Sequence, residues 1–299
     1  MFYYNLHTQE DKKWTVTPRM FRTGYGQDII SQIRDATLDH ARQLGIKQEL
    51  VALAERKLAL VDIGVFATVV RAGVCANFRY AGQVVPNRQY ILARGGKTFM
   101  DIDTITSSAV MYRDIVLKHC TPDTAQVVMN MITKDGTLSS VVCHECNHPI
   151  GCTPESDAVL GDVKDRVEEA KATLGGLSAF LSQLDSSKWP EVAAYSVARV
   201  CRFFAKTTYE NPTSQPYVRE NIAMANLLII SEIVSVKDGI AIDFNLNKLI
   251  LWKKMLRQFC LDVIHAYHSQ SPKLAVTKVE EGYCARTPAI LNWIKWVNR

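Results

Sequence analysis

Apolar residues recur every three or four positions along most of this chain, and this spacing places them on one face of a helix. Two early stretches show the pattern, one at Ile29, Ile30, Ile33, Ala36 and Ala41 and the next at Leu50, Val51, Ala54, Leu58 and Val61. With 299 residues, 47% of them hydrophobic, the chain can fill one large core or two ordinary ones. The sequence therefore predicts a largely helical protein.

The best candidate for a domain boundary is Asn147–Asp157, which carries two prolines and a glycine. Thr137–Cys143 (TLSSVVC), just before it, has the β-branched composition of a strand. Gly175-Gly176 is predicted to separate two helices, and Pro288–Val297 (PAILNWIKWV) reads as a final amphipathic helix. We therefore predict a mainly helical N-terminal domain over 1–146 and a second domain over 147–299.

The charge is uneven along the chain, although the formal total is only +5. Residues 51–100 carry seven Lys/Arg against two Asp/Glu, and residues 251–299 carry eight against three. Such blocks suit a groove for a polyanion, and a solvated basic face would look the same. The candidate RNA-contacting residues are Lys253, Lys254, Arg257, Arg88 and Arg94.

No basic-then-apolar leader opens the sequence, and the most apolar stretch, 223–236, is too short for a bilayer that needs about 20 residues. The eight cysteines have no export signal to place them in an oxidising compartment. An intracellular protein with reduced thiols and no membrane partner is expected.

The densest chemical cluster is C-x2-C-x-H-x3-C, formed by Cys143, Cys146, His148 and Cys152. Four soft ligands within ten residues suit zinc. A strand followed by a polar turn with buried free cysteines explains the same residues. His144 and His148 could also act as acid or base, but spacing identifies no nucleophile or carboxylate partner for them.

Several short segments, in order, match one viral family. The most specific series is Val236–Gly239 (VKDG), Asp243–Leu246 (DFNL) and Ile250–Trp252 (ILW). Weaker matches lie at Arg113–Lys118, Ile132–Gly136, Glu169–Leu174 and Val192–Ala205. With these residues the chain resembles rotavirus non-structural protein two, an RNA-binding octamer that builds viroplasms.

The resemblance implies an α+β protein: a helical N-terminal domain and an α+β C-terminal domain with histidine-triad-like topology, ending in a helix. It implies a nucleotide cleft with Asp135, Lys171 and Arg219, and Mg2+ as cofactor. It further implies a ring-shaped homo-octamer that binds single-stranded RNA, with a viral phosphoprotein and polymerase as partners, in replication bodies of the host cytoplasm.

The enzymatic side of the resemblance is open, because the family's catalytic segment H-G-K-G-H-Y-R has no counterpart here. The equivalent loop, Thr207–Arg219, contains no histidine. No catalytic residue is therefore assigned, and NTP or RNA triphosphate hydrolysis is in doubt.

Our leading hypothesis from sequence is an RNA-binding, RNA-remodelling oligomer of viral replication bodies. Two alternatives stay open. One is a viral nucleoprotein that coats RNA in a filament, and the other is a zinc-binding enzyme that uses Cys143–Cys152.

Overall fold

A computed structural model describes residues 2–3, 19–70, 82–85 and 96–299 of the chain. Arg88 and Arg94, two of the candidate RNA contacts, lie outside these residues. Helices make up most of the described chain, and none of them combines the length and apolar character needed to cross a bilayer. Their bounds are α1 Gln27–Gln43, α2 Gln48–Leu60, α3 Ile102–His119, α4 Pro122–Val128, α5 Lys134–Asn147, α6 Pro154–Leu160, α7 Glu168–Gln183, α8 Trp189–Phe204, α9 Lys206–Tyr209, α10 Gln215–Ile230, α11 Leu246–Tyr267, α12 Pro272–Tyr283 and α13 Pro288–Val297.

The strands are β1 Phe2–Tyr3, β2 Arg19–Arg22, β3 Val61–Val70, β4 Gly82–Val85, β5 Gly96–Asp101, β6 Val234–Val236 and β7 Ile240–Ile242. The larger sheet lies in the N-terminal part of the chain and has the strand order β1-β2-β3-β5-β4. Only β3 and β5 are parallel, and they are joined in register from Val61 opposite Gly96 to Phe66 opposite Asp101. A separate antiparallel hairpin follows α10.

This arrangement reverses the predicted fold class. We expected a helical N-terminal domain and an α+β C-terminal domain with histidine-triad-like topology. Within the described residues after 147, the strands are limited to the short hairpin of β6 and β7, whereas the five-stranded sheet precedes α3. The α+β prediction is therefore wrong. The proposed domain boundary at 146/147 stays a prediction.

Helix α5 replaces the strand that was predicted at Thr137–Cys143. Its first turn is capped by the Thr133 hydroxyl, which accepts a hydrogen bond from the Gly136 amide at 3.0 Å. Leu138 and Val142 are fully buried in a core shared with α1 and β3. Tertiary packing on both sides of the helix thus overrides the weak strand propensity of its β-branched residues.

Helix α7 is continuous across Gly175 and Gly176, although this pair was predicted to end a helix. A β-carbon at Gly175 would overlap the Asn147 side chain, and one at Gly176 would overlap the backbone carbonyl of Cys143. The two glycines therefore let α5 approach α7 closely. This contact brings the histidines of α5 beside the carboxylates of α7.

The main core surrounds the C-terminal half of α7 and is built by α8, α10, α11 and α13. Trp252 and Trp293 are both fully buried in it. The Trp293 ring meets Phe204 edge to face at 5.8 Å, so the predicted final helix packs on its own chain. The core thus fixes α7 among the C-terminal helices.

The viral resemblance rested on segments that are general turn and cap signals. The VKDG segment is the turn of the β6–β7 hairpin, with Gly239 at a φ of 141°. The DFNL segment is the start of α11, where the Asn245 side chain caps the Asn247 amide at 2.9 Å. Because many folds use such turns and caps, these matches do not specify one family.

Candidate metal centre

His144 lies in the last turn of α5, and His148, four residues on, is its C-cap residue with helical backbone angles, so the two histidines face the same side of the helix. Their Nε2 atoms are 3.1 Å apart and the rings meet edge to face. Cys143 and Cys146 fall on the opposite side of α5 and are fully buried against the sheet and α1. The helix thus separates its imidazoles from its thiols.

Helix α7 supplies the third member of the cluster. Oε2 of Glu169 lies 3.2 Å from Nε2 of His144. One donor atom from each of His144, His148 and Glu169 lies within 4.8 Å of the other two. The same Glu169 oxygen is buried and receives no hydrogen bond from any described group. It lies within ion-pair distance of the His144 imidazole, but the contact does not have the geometry of a hydrogen bond.

The second ring nitrogen of each imidazole, Nδ1, contacts a neighbouring side chain. Nδ1 of His144 is 2.7 Å from the Thr173 hydroxyl, and Nδ1 of His148 is 3.0 Å from Oε1 of Glu168. Because a carboxylate only accepts hydrogen bonds, Nδ1 of His148 carries the hydrogen. In the neutral ring, Nε2 then presents its lone pair to the cluster.

This donor set fits zinc. Two atoms bound to tetrahedral zinc at about 2.0–2.1 Å lie about 3.3 Å apart, close to the 3.1 and 3.2 Å separations seen here. The side chains of His144, Glu169 and His148 keep 14%, 22% and 30% exposure, so solvent reaches the cluster. Two histidines, one glutamate and an open side are the features of a catalytic zinc site rather than a closed structural one.

Magnesium does not suit this cluster, and the Mg2+ expectation is not supported. Mg2+ prefers an octahedral shell of oxygen atoms, whereas two of the three donors here are imidazole nitrogens. Zinc, which the Cys/His motif suggested, is compatible with the cluster, although through a different set of ligands.

The charges around the cluster favour a cation. Burial would lower the pKa of His144, but the Glu169 carboxylate raises it above its usual value. Burial likewise opposes ionisation of Glu169, yet His144 and His148 hold its pKa below the usual range. Negative charge therefore predominates where the donor atoms converge, and it favours a proton or a metal ion at this point.

A buried lysine supports the outer carboxylate. The Lys171 ammonium is fully buried and lies 3.1 Å from Oε1 of Glu168, while it donates to the backbone oxygens of His148 and Ile150 at 2.8 and 2.9 Å. Burial alone would raise the pKa of Glu168, but Lys171 holds it well below the usual range. Glu168 therefore stays ionised and keeps His148 oriented.

Two further side chains border the cluster. Glu145 follows His144 on α5 and is half-buried. Tyr217, at the start of α10, is 37% exposed and stacks on Phe203 at 5.9 Å. Burial and then the carboxylates of Glu169, Glu220 and Glu145 raise the pKa of Tyr217. Tyr217 therefore lies within electrostatic range of Glu145 and Glu169, and its phenol stays protonated.

Only one of the four residues proposed as metal ligands from sequence joins this cluster, namely His148. Burial raises the pKa of Cys146 to about 12, and it also raises that of Cys143, so both thiols stay protonated. The Cys152 sulfur lies 3.1 Å from the Lys171 ammonium, on the outer side of Glu168.

The residues assigned to nucleotide binding lie on three helices. Asp135 is in the first turn of α5 and accepts a hydrogen bond from the Tyr25 hydroxyl. Lys171 is fully buried in α7, and Arg219 on α10 pairs with Glu280 at 3.2 Å. Their nucleotide-binding role stays a prediction.

The described RNA-contact candidates all lie on α11. Lys253 covers the ring of Trp189 with its ammonium 4.6 Å from the ring centroid. Arg257 donates to the backbone oxygen of Gln43 at 2.7 Å, and Lys254 follows Lys253 on the exposed side of the helix. Lys253 and Arg257 thus contact other parts of the protein, on a helix different from those that carry the His144, His148 and Glu169 cluster.

The sequence contains a signal for this cluster, and the expectation that it has no H-E-x-x-H motif is wrong. His144-Glu145-Cys146-Asn147-His148 is an H-E-x-x-H motif, the pattern of a zinc-binding helix with a general base. Grouping these residues by their cysteines, on a supposed strand, hid the helical spacing of the histidines. Glu169 had no local signal, because only the packing of α7 on α5 brings it to them.

No family model matches the sequence, and no curated protein matches it. Two solved structures share its fold. The structure of DPP III from Caldithrix abyssi has a TM-score of 0.72 at 14% identity, and covers 95% of this chain and 56% of that one. The structure of dipeptidyl-peptidase III from Corallococcus sp. strain EGB has a TM-score of 0.68 at 14% identity, and covers 95% and 54%.

The chain therefore has the fold of these helical proteins over nearly its whole length and spans a little over half of theirs. This likeness overturns the resemblance to rotavirus non-structural protein two and, with it, the RNA-binding viroplasm interpretation. Both were wrong because short turn and cap motifs were weighed above the pattern of one zinc-binding helix.

Proposed function

We propose that this chain is a zinc-dependent hydrolase of peptides. The observation that carries the proposal is the convergence of His144 and His148 from one helix with Glu169 from its neighbour, beside Glu145. The similar structures are named for dipeptidyl-peptidase activity, which supports peptides as the substrate class. This is the zinc-enzyme alternative raised from the sequence, with a different ligand set.

The roles of the residues follow from their chemistry. His144, His148 and Glu169 would hold the ion, which when bound supplies a Lewis acid and lowers the pKa of water. Glu145 is the general base: its carboxylate takes the proton of the attacking water and returns it to the leaving amine. Tyr217 keeps its proton at neutral pH and donates a hydrogen bond to the carbonyl oxygen as charge develops there.

Peptide hydrolysis by the purified full chain tests the proposal. Glu145→Gln removes the base but keeps the size of the side chain, so kcat should fall by about 10²- to 10⁴-fold while zinc content is unchanged. The matched control is Glu155→Gln, at an exposed position on α6, which should keep full activity.

Two results would overturn the proposal. One is peptide hydrolysis by Glu145→Gln at the rate of Glu155→Gln. The other is the absence of hydrolysis in zinc-loaded protein across a set of unblocked peptides of different length.

A further inference from the structure

A cavity of about 310 Å³ lies between the first half of α5, the second half of α7 and the start of α8. Its wall is mainly apolar, with Ile29, Met131, Leu177, Phe180, Leu184 and Val192. Cavities of about 150 Å³ with similar linings bind a benzene ring, so this one has room for a large side chain.

The cavity begins one helical turn away from residues of the His144, His148 and Glu169 cluster or of its supporting contacts, on each of two helices. On α5, the cavity residue Ser140 precedes His144 by four residues, which is one turn or about 6 Å on the same face. On α7, the cavity residue Leu177 lies four residues after Thr173. The Thr173 hydroxyl contacts His144. A substrate held at the cluster therefore has the cavity within one residue's reach.

The charges of the lining argue against an anionic ligand. Asp135 and Glu191 are acidic, and the Lys188 ammonium is paired with Glu191 at 2.8 Å. A phosphate would meet net negative charge there. Tyr195 adds a side chain without charge to the lining.

We infer that this cavity is a specificity pocket for a bulky apolar side chain of the peptide substrate, in the residue next to the cleaved bond. The inference rests on the proposed peptidase function, and it adds the preference of the site. A leucine or phenylalanine side chain occupies a large part of the cavity, whereas an alanine methyl group leaves most of it empty.

Filling the pocket by mutation tests the inference. Leu184→Trp and Met131→Trp each enlarge a half-buried wall residue, and Leu274→Trp, at an exposed leucine of α12, is the control. We expect the zinc-loaded parent to prefer leucine or phenylalanine over alanine by about tenfold or more in kcat/KM. Both pocket variants should lose this preference and the control should keep it, with folding checked by circular dichroism.

A parent with no preference, or a preference that survives in both variants, overturns the inference.

A binding measurement separates this inference from the proposed function. N-acetylphenylalanine amide should bind saturably, by titration calorimetry, to the His144→Ala variant, and adding Leu184→Trp to that variant should abolish the binding. N-acetylglycine amide should not bind. Since this measurement needs neither zinc nor catalysis, missing hydrolysis overturns the function, and missing binding of the phenylalanine probe overturns the pocket.

Discussion

At the scale of single residues, the orientation of each imidazole depends on one neighbour. Thr173 is buried, and its hydroxyl is 2.7 Å from Nδ1 of His144. The Glu168 carboxylate contacts Nδ1 of His148 in the same way. Such outer contacts fix which nitrogen faces a metal and how basic it is. They make the donor set rigid before any ion binds.

Thr173→Val keeps the shape of the side chain but removes the hydroxyl that holds His144. We expect the zinc affinity to fall by about 10- to 100-fold, measured by competition with a chromophoric chelator. Thr277→Val on α12 is the control, because that hydroxyl contacts only the backbone of its own helix at 3.0 Å. Equal affinities in the two variants would show that the Thr173 contact does not position the ligand.

A second residue-scale prediction concerns His40, buried in α1. Burial first, and then the cations Arg257 and Lys253 of α11, lower its pKa to about 4, below the usual 6.5. Between these values the unfolded chain binds more protons than the folded one, so the free energy of unfolding falls as the pH decreases.

His40→Leu removes this group and its unpaired Nε2 atom. From pH 7 to about 4 the parent should lose about 3 kcal/mol more of its free energy of unfolding than the variant loses. Urea denaturation at several pH values measures the difference. Parallel pH profiles for the two proteins would contradict the lowered pKa.

At the scale of elements, the pairing of α5 with α7 creates the site. Gly176 allows the approach, since a β-carbon there would overlap the Cys143 carbonyl. Glycine inside a helix normally costs about 1 kcal/mol relative to alanine, so its presence here indicates a packing requirement.

Gly176→Ala should therefore destabilise the protein by about 1–3 kcal/mol, as overpacking does, despite the better helix propensity of alanine. Gly282→Ala, on α12 with open space around it, should be neutral or stabilising by up to about 1 kcal/mol. Chemical denaturation of both variants measures the contrast. A Gly176→Ala protein as stable as Gly282→Ala would mean that the helices do not need this close contact.

Much of the helical pattern could be predicted from the apolar spacing, as in α1, α2 and α13. Thr137–Cys143 could not, because its β-branched residues favour a strand until α1 and α7 bury them as a helix. The pair His144 and His148 was readable as H-E-x-x-H once α5 was recognised as a helix. Glu169, Thr173 and the cavity depend on contacts between helices, which no local pattern contains.

At the scale of the whole molecule, the chain carries a helical fold in which His144, His148 and Glu169 cluster on the central helix pair. It spans a little over half the length of the similar dipeptidyl-peptidase structures, so the activity of those proteins is a proposal for this one. The predicted oligomeric ring and the host-cytoplasm location stay predictions.

The most direct test of the central claim is the zinc content of the purified chain, measured by mass spectrometry of the metal after dialysis against zinc-free buffer. We expect about one zinc per chain in the parent and almost none in a His148→Ala variant, because removing one of three ligands opens the site. Zinc-free parent protein, or a His148→Ala variant that retains the full amount, would contradict the metal centre.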